Sequence, residues 1–247
     1  GWTAQFVTLW QGEEMVAAAP LYLKAHSYGE YVFDWAWANA YAEHGLAYFP
    51  KGLSAVPFTP VPGARLLAID TATRHALLKA LLDLCQEQDL SSLHLLFTSP
   101  ADREACQSLG LLQRQTVQFH WHNASREGQR FSSFDEFLAH LSQEKRKKIK
   151  QERRRVAEAG VTFRNAVGSA ISSADWDFFY QCYERTYLEH GNAPYLTRAF
   201  FAHMQSDMPD NWVLFVAERD HQPLGGSLLE HRRIDFQCLD RQGRDHR

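Results

Sequence analysis

The amino-terminal part of the chain alternates between apolar and polar positions, which is the period of a β-strand. Two β-rich runs, Gln5 to Trp10 and Met15 to Lys24, are separated by QGEE, and a short connection with a glycine predicts a hairpin. Strand-like pieces continue from Gly52 to Leu67, where three prolines interrupt them. Because proline cannot donate to a strand ladder, we expect that segment at a sheet edge or a bulge.

The period then changes to that of a helix in TATRHALLKALLDLCQEQ, which Thr71 or Thr73 can cap. The next run, LHLLFTSP, is almost continuously apolar and predicts a strand covered on both faces. ADREACQSLG predicts a short helix that ends at Gly110, and QRQTVQFHWHN alternates as a strand does. The apolar stripe of the first helix consists of Leu77, Leu78, Leu81, Leu82 and Cys85.

The second half begins with its own helix signals. Ser133 and Glu136 have capping-box spacing and open a helical region, which Gly160 closes. A strand, VTFRNAV, precedes the helix DWDFFYQCYERTYLEH, and a further helix, TRAFFAHMQ, has Thr197 as its expected cap. The runs WVLFVAERD and PLGGSLLE predict a closing hairpin.

This order of elements predicts an α/β fold with a mixed sheet. It corresponds to the back part of one GNAT-type acyltransferase domain followed by the front part of another, so we expect tandem GNAT-like domains that are both incomplete in this chain. The predicted limits are 1–130 for the C-terminal part of the first domain, 131–160 for a basic helical connector, and 161–247 for the N-terminal part of the second.

Composition predicts a globular chain in a reducing compartment. The 247 residues are 45% hydrophobic and 13% aromatic, which is ample for buried cores. No apolar run approaches the roughly 18 residues of a membrane span, and no signal peptide is visible. Four cysteines stand far apart without a C-x-x-C pair, so we expect a cytoplasmic protein.

Several stretches carry a resemblance to a known family: AAAPLYLKAHSYGEYVFDWAWANAY, RRRVAEAGV, YLEHGNAPYLTRAFF and VAERDHQPLGGSL. They resemble FemAB-like bacterial proteins of peptidoglycan biosynthesis or recognition, which are tandem GNAT-type folds. The resemblance runs from about Met15 to about Leu229. It implies transfer of an acyl or aminoacyl group to an amine acceptor, such as a peptidoglycan precursor.

The resemblance implies two alternative acyl donors, acetyl-coenzyme A and aminoacyl-tRNA, and no further cofactor. A coenzyme A site needs a glycine-rich turn whose backbone amides meet the pyrophosphate at a helix start. The corresponding turn, PVPGARLLAIDTATRH, has Gly63 alone, and its second copy would lie beyond Leu229. We therefore expect activity in a longer parent protein and not in this chain by itself, with a non-catalytic binding module as the alternative.

A dense basic block lies in LSQEKRKKIKQERRRVAEAG, where eight of the eleven positions from Lys145 to Arg155 are lysine or arginine. The whole chain has 26 basic and 29 acidic residues, which argues against coating of duplex DNA. A solvated helix face, a grip on a polyphosphate or RNA, and an anionic membrane surface remain open. The resemblance favours tRNA, with phosphates bound by Lys145, Lys147, Lys148 and Arg154.

The aromatic stretch YGEYVFDWAWANAY predicts either a ligand pocket or a packed connector. Asp34 would be an acid whose pKa burial raises, and Trp35, Trp37 and Tyr41 would form walls for a sugar or an amine. In the alternative, the aspartate only caps a short helix.

A second group of candidates follows the helix that ends near Gly191. Tyr183, Tyr187 and His190 share a helical face, and Asn192 to Tyr195 form a turn beyond it. His190 could accept a proton from an attacking amine, or it could simply interact with the helix end. We expect Asp34 and His190 to face one cleft as catalytic residues, with the aromatic side chains and Asn192 binding substrate.

Other chemistries have no support in the sequence. His120 and His122 point to one face of the predicted strand, but no third metal ligand lies nearby, so no metal site is predicted. The chain has no G-x-S-x-G motif and no Walker glycine loop, which leaves hydrolase and NTPase functions without a basis.

Overall fold

The computed structural model describes residues 1–32 and 34–230. The chain divides into two compact units, Gly1–Gln118 and Phe119–Arg247. Both combine helices with a β-sheet, so the expected mixed α/β class is confirmed. The expected second glycine turn beyond Leu229 falls outside the described residues.

The first unit is built on a five-stranded mixed sheet. β1 (Trp2–Gln11) and β2 (Glu14–Lys24) form the predicted antiparallel hairpin. β3 (Lys51–Ser54) pairs antiparallel with β2 and parallel with β5 (Leu93–Leu95), while the two-residue β4 (Leu67–Ala68) pairs with β2.

Three helices accompany this sheet: α1 (Trp35–Glu43), α2 (Thr71–Glu87) and α3 (Pro100–Ser108). Four of the five residues of the predicted α2 stripe are buried in one core with residues of β2, and the fifth, Leu82, is partly buried against it. The Asp70 side chain, and neither threonine, caps this helix by accepting from the backbone N–H of Thr73 at 2.7 Å. The shared core contains Ala17, Ala19, Leu21, Leu77, Leu78, Leu81 and Cys85.

The second unit contains a three-stranded antiparallel sheet of β6 (Thr162–Val167), β7 (Trp212–Arg219) and β8 (Gln222–Glu230). The helices α6 (Ser173–Glu189) and α7 (Arg198–Asp207) supply the aromatic part of its core. Thr197 caps α7 as predicted. The buried core residues are Ile171, Trp176, Phe201, Leu214 and Val216.

The predicted helical region before Gly160 consists of two helices, α4 (Phe134–Ala139) and α5 (Gln143–Glu158). The break arises because Ser142 starts a new helix, its side chain accepting from the backbone N–H of Lys145 at 3.4 Å. Glu136 reaches back to the N–H of Ser132 and not to that of Ser133, so the predicted reciprocal capping box is incomplete.

Two strand predictions were wrong. The edge strand predicted over 52–67 is the short β3, which lies between β2 and β5 with all four residues buried, and the proline-rich remainder is largely irregular. QRQTVQFHWHN forms no strand. Alternation alone does not make a strand without a paired neighbour, and Phe119 is 98% exposed in this segment.

Candidate functional site

Four charged side chains are buried together in the first unit. Lys24 at the end of β2 stands opposite Lys51 at the start of β3 in the antiparallel register. The segment that follows β2 brings Glu30 and Asp34 to these two lysines. All four side chains are at most 2% exposed, so two positive and two negative charges balance inside the unit.

Lys51 is the centre of this buried cluster. Its Nζ donates to Asp34 Oδ2 at 2.5 Å, to Glu30 Oε2 at 2.9 Å and to Ser27 Oγ at 2.9 Å. An ammonium group has three protons, so these three bonds use its whole donor capacity.

Lys24 is held more loosely. Its Nζ donates to the backbone carbonyl of Tyr28 at 3.1 Å, lies 3.9 Å from Glu30 Oε1, and lies 3.6 Å from the centroid of the Trp2 ring. The indole face provides a cation–π contact in place of a close carboxylate. Burial lowers the Lys24 pKa to about 8, although the charge of Glu30 opposes this change.

The net pKa shifts of the two buried carboxyl groups have opposite directions. Burial raises the pKa of Glu30. Burial also acts to raise the pKa of Asp34, but the hydrogen bonds from Lys51, Ser27 and Tyr48 outweigh it, and the pKa is lowered. The expectation that burial gives Asp34 a raised pKa was therefore wrong. Asp34 occupies the N-cap position of α1 without a side-chain capping bond, because its carboxylate is turned into the cluster.

A hydrogen-bonded path leads from this cluster to His94. Tyr48 Oη donates to Asp34 Oδ2 at 2.8 Å and lies 3.4 Å from His94 Nε2. The same ring nitrogen lies 2.9 Å from Ser92 Oγ. Burial, followed by the nearby charge of Lys51, lowers the pKa of His94 to about 4, so the imidazole is neutral at physiological pH.

His94 lines a cleft of about 840 Å³ in the first unit. Trp37, Tyr41 and Tyr48 give this cleft aromatic lining. Arg103 and Arg114 also line it, and none of the described residues around it is acidic. The arrangement suits a ligand with an apolar or sugar-like part and an anionic group.

The structure places two of the predicted aromatic walls, Trp37 and Tyr41, in this cleft. Asp34 lies behind it, one hydrogen bond beyond Tyr48. Trp35 is not among the lining residues; it is 49% exposed and its ring centroid lies 6.0 Å from that of Tyr28. Sequence reasoning missed His94, although Ser92 and His94 stand two positions apart, the spacing that puts side chains on one face of a strand.

In the second unit, three predicted tyrosines form one cluster at the end of α6. The ring centroid of Tyr187 lies 4.8 Å from that of Tyr183 and 5.2 Å from that of Tyr195. His190 is exposed at the C-cap of α6, and its carbonyl accepts from Asn192 Nδ2 at 3.1 Å. Asp34 and His190 belong to different units, and the proposal that they share a cleft stays a prediction.

The basic block is an exposed helix that buries none of its residues. Four cations and two glutamines line a shallow groove of about 730 Å³ along one face of α5. Lys147 and Arg154 of the predicted phosphate ligands belong to this face, whereas Lys145 and Lys148 do not. The groove is lined by Gln143, Arg146, Lys147, Lys150, Gln151 and Arg154.

The described residues contain neither a metal-binding cluster nor a helix that could span a membrane. No group of three or more His, Cys, Asp or Glu side chains within residues 1–32 and 34–230 could hold a metal ion. Over the same ranges, every helix is too short or too polar to cross a membrane.

Comparison with protein families defines the class of protein. A family of peptidoglycan biosynthesis/recognition proteins matches residues 1–234. Because the match covers most of the chain, the protein belongs to this FemAB-like family, and the resemblance read from the sequence is confirmed.

A search of solved structures returned, among its matches, the crystal structure of FemX. It is 14% identical in sequence, with a TM-score of 0.36 over 89% of this chain and 49% of that chain. This chain therefore spans about half the length of the FemX chain. A search of curated proteins found no match.

Proposed function

We propose that the protein takes part in transfer of an acyl or aminoacyl group to an amine acceptor, with a peptidoglycan precursor as the acceptor class. Membership of the FemAB-like family supports the connection with peptidoglycan. The observation that carries the proposal is the cleft of the first unit, which combines an aromatic wall with two arginines and a neutral histidine. The separated cysteines favour a cytoplasmic setting for this reaction.

The structure bears on the choice of donor. Gly63 was the single glycine expected to support a pyrophosphate in the first unit. Its N–H donates to the carbonyl of Phe97 at 2.9 Å, so this amide is already used inside the protein. A committed backbone amide is a poor phosphate ligand, which counts against a coenzyme A pyrophosphate at this turn, and we propose aminoacyl-tRNA as the donor on the family resemblance.

Calorimetric titration of the 247-residue chain with a peptidoglycan stem peptide tests acceptor binding. Trp37→Ala combined with Tyr41→Ala should weaken binding about tenfold or more, because both rings line the cleft. Trp35→Ala is the matched control, since Trp35 is an exposed aromatic residue outside the lining. Equal binding by all three proteins would contradict the assignment of the acceptor to this cleft.

Transfer is tested separately from binding. The stem peptide is incubated with either donor and the protein, and mass spectrometry detects a peptide that has gained the acyl or aminoacyl group. A gain of mass supports a transferase. Binding without any gain of mass would favour the non-catalytic binding module.

The basic face of α5 favours a second function, binding of RNA through its phosphates. Replacing Arg146, Lys147, Lys150 and Arg154 by glutamine removes four cations from the groove face. RNA affinity should fall, and the slope of log K against log salt should drop by about 0.7 for each phosphate contact that is lost.

A control with the same loss of charge lies on the same helix. Lys145, Lys148, Arg153 and Arg155 are also in α5 but do not line the groove. If both sets of glutamine substitutions weaken RNA binding equally, the effect comes from general charge and not from this face of α5. Binding to anionic lipid vesicles but not to RNA would indicate a membrane surface instead.

A further inference from the structure

The hydrogen bonds around His94 determine which of its ring nitrogens carries the proton. Tyr48 has one hydroxyl proton and two neighbours, Asp34 Oδ2 at 2.8 Å and His94 Nε2 at 3.4 Å. The Asp34 pKa is lowered by three hydrogen-bond donors that outweigh burial, so its carboxylate is ionised. A short bond to a carboxylate is stronger than a long bond to a neutral nitrogen, so the proton of Tyr48 goes to Asp34.

The Tyr48 oxygen can therefore only accept from His94. A proton on Nε2, the nitrogen that faces both Tyr48 Oη and Ser92 Oγ, can be donated to these two oxygens, whereas an unprotonated Nε2 would set its lone pair against that of Tyr48.

The hydrogen bonds of Ser91 and Ser92 also fit donation by His94 Nε2. Ser91 Oγ donates to the carbonyl of Tyr48 at 2.5 Å, which leaves its lone pairs as acceptors. Ser92 Oγ lies 3.4 Å from Ser91 Oγ and 2.9 Å from His94 Nε2, so donation to Ser91 leaves the Ser92 oxygen free to accept from His94. Every hydroxyl proton in this path then has an acceptor, and no two protons point at each other.

With Nε2 protonated and the ring neutral, Nδ1 is an unprotonated hydrogen-bond acceptor. His94 lines the cleft, and the positive charges that act on it come from Lys51 and from Arg114, which also lines the cleft. The negative charge that acts on it is the buried Asp34. We infer that a ligand donor group in the cleft meets Nδ1, while Arg103 and Arg114 are suited to a carboxylate or phosphate.

We propose that His94 is a ligand-binding residue that accepts a hydrogen bond from an N–H group of the acceptor, and that Tyr48 and Ser92 are the positioning residues that fix its tautomer. The ligand class is an amino acid or peptide end that carries an N–H donor beside a carboxylate. Placing the acceptor in this cleft rests on the proposed function, whereas the tautomer is an independent property of the protein.

The first test is nitrogen NMR of the histidine side chains in the 247-residue chain, with His94→Gln used to assign the signal. We expect the Nε2–H tautomer of His94 in the wild-type protein. Tyr48→Phe combined with Ser92→Ala removes both partners of Nε2 and should produce a mixture of tautomers. Tyr41→Phe keeps the aromatic ring and removes a hydroxyl that makes no contact with Nε2, so it should leave the tautomer of His94 unchanged.

The second test is binding of alanyl-alanine, followed through the same signal. Binding should shift the Nδ1 resonance of His94, and the double variant should bind about five- to tenfold more weakly, as for loss of one oriented hydrogen bond. Where the double variant fails to fold, Ser92→Ala alone is used. The methyl ester of the dipeptide, which lacks the carboxylate, should bind more weakly than the free acid.

The outcomes separate this inference from the proposed function. An Nδ1–H tautomer in the wild-type protein, or dipeptide binding that leaves the His94 signal unmoved, overturns the inference. Binding with the expected shift but without transfer from either donor supports the inference and counts against the transferase.

Discussion

Removing the buried ammonium of Lys51 should strongly destabilise the first unit. The change is Lys51→Met, which keeps most of the side-chain volume and deletes the charge. Its contacts at 2.5 Å to Asp34 and 2.9 Å to Glu30 are each worth about 6 kcal/mol at an effective dielectric constant of about 20, before desolvation is subtracted. Removing one partner of a buried ion pair lowers the free energy of unfolding by about 3–5 kcal/mol. We expect Lys51→Met to lower it by an amount in that range.

The assay must report on the first unit alone, because two compact units can unfold separately. Amide hydrogen exchange of β2 and β3, measured against urea concentration, gives the free energy of opening for the strands that carry the cluster. Lys79→Met is the matched control. Lys79 pairs with Asp83 at 2.7 Å, but its side chain is 69% exposed, so its loss should cost about 0.5 kcal/mol or less.

The effect of Lys51→Met should depend on pH in a defined direction. In the wild-type protein the lowered pKa of Asp34 contributes stability above its unfolded pKa of about 3.9, and this contribution is lost as the pH falls through the lowered value. In the variant, Asp34 and Glu30 lose the ammonium of Lys51, so their pKa values rise. Protonation then removes the buried negative charges that have lost this partner. The difference from wild type should therefore shrink between about pH 7 and pH 4. A cost no larger than that of Lys79→Met, or a difference independent of pH, would refute the reasoning.

Further predictions concern other local features. Burial lowers the Lys24 pKa to about 8, so the folded state binds fewer protons than the unfolded state between about pH 8 and pH 10.4. As the pH rises through that window, urea unfolding should show the wild-type protein gaining stability relative to Lys24→Met. His221 has φ of 62° in the two-residue turn between β7 and β8, a conformation that glycine adopts without a Cβ penalty, so His221→Gly should raise the melting temperature of the second unit, and an equal gain from His221→Val would contradict this explanation. Gly29 has φ of 82°, and a Cβ there would collide with the Phe58 ring, so Gly29→Ala should lower the melting temperature, whereas Gly12→Ala, with the same kind of φ but open space, should lower it less.

The elements that could be predicted from sequence are those whose signals are local. The first hairpin follows from strand alternation on both sides of a short turn, and the stripe of α2 follows from three-and-four spacing. Thr197 was predictable as a cap because the capping bond spans only three residues. In each case the residues that interact are near neighbours in the sequence.

The elements that were missed depend on pairing between distant residues. β3 has four buried residues and begins with a lysine, which the sequence pattern gives no reason to place inside. Lys51 is buried because Asp34 and Glu30, 17 and 21 residues away, neutralise it. The segment QRQTVQFHWHN shows the reverse error, because its alternation is correct for a strand but pairing is a property of two strands.

The candidate site also combines residues that local sequence signals predicted with residues that depend on distant contacts. Trp37 and Tyr41 were predicted to line a pocket because large aromatic residues in a connecting segment indicate packing against a ligand or another part of the protein. Both residues line the cleft. His94 was missed because its orienting contact with Tyr48 spans 46 residues. The direction of the Asp34 pKa was also missed, since it is set by three hydrogen bonds that sequence does not display.

The buried cluster is better explained by orientation than by stability. Replacing a complete buried ion cluster by apolar side chains of similar volume is often neutral or stabilising, so stability alone does not account for four buried charges. An apolar replacement could not keep Asp34 ionised, and a neutral Asp34 would no longer draw the proton of Tyr48 away from His94. Lys51 thus acts on the cleft through two intervening side chains, and the positions that stabilise the first unit are also those that set the hydrogen-bonding direction of His94.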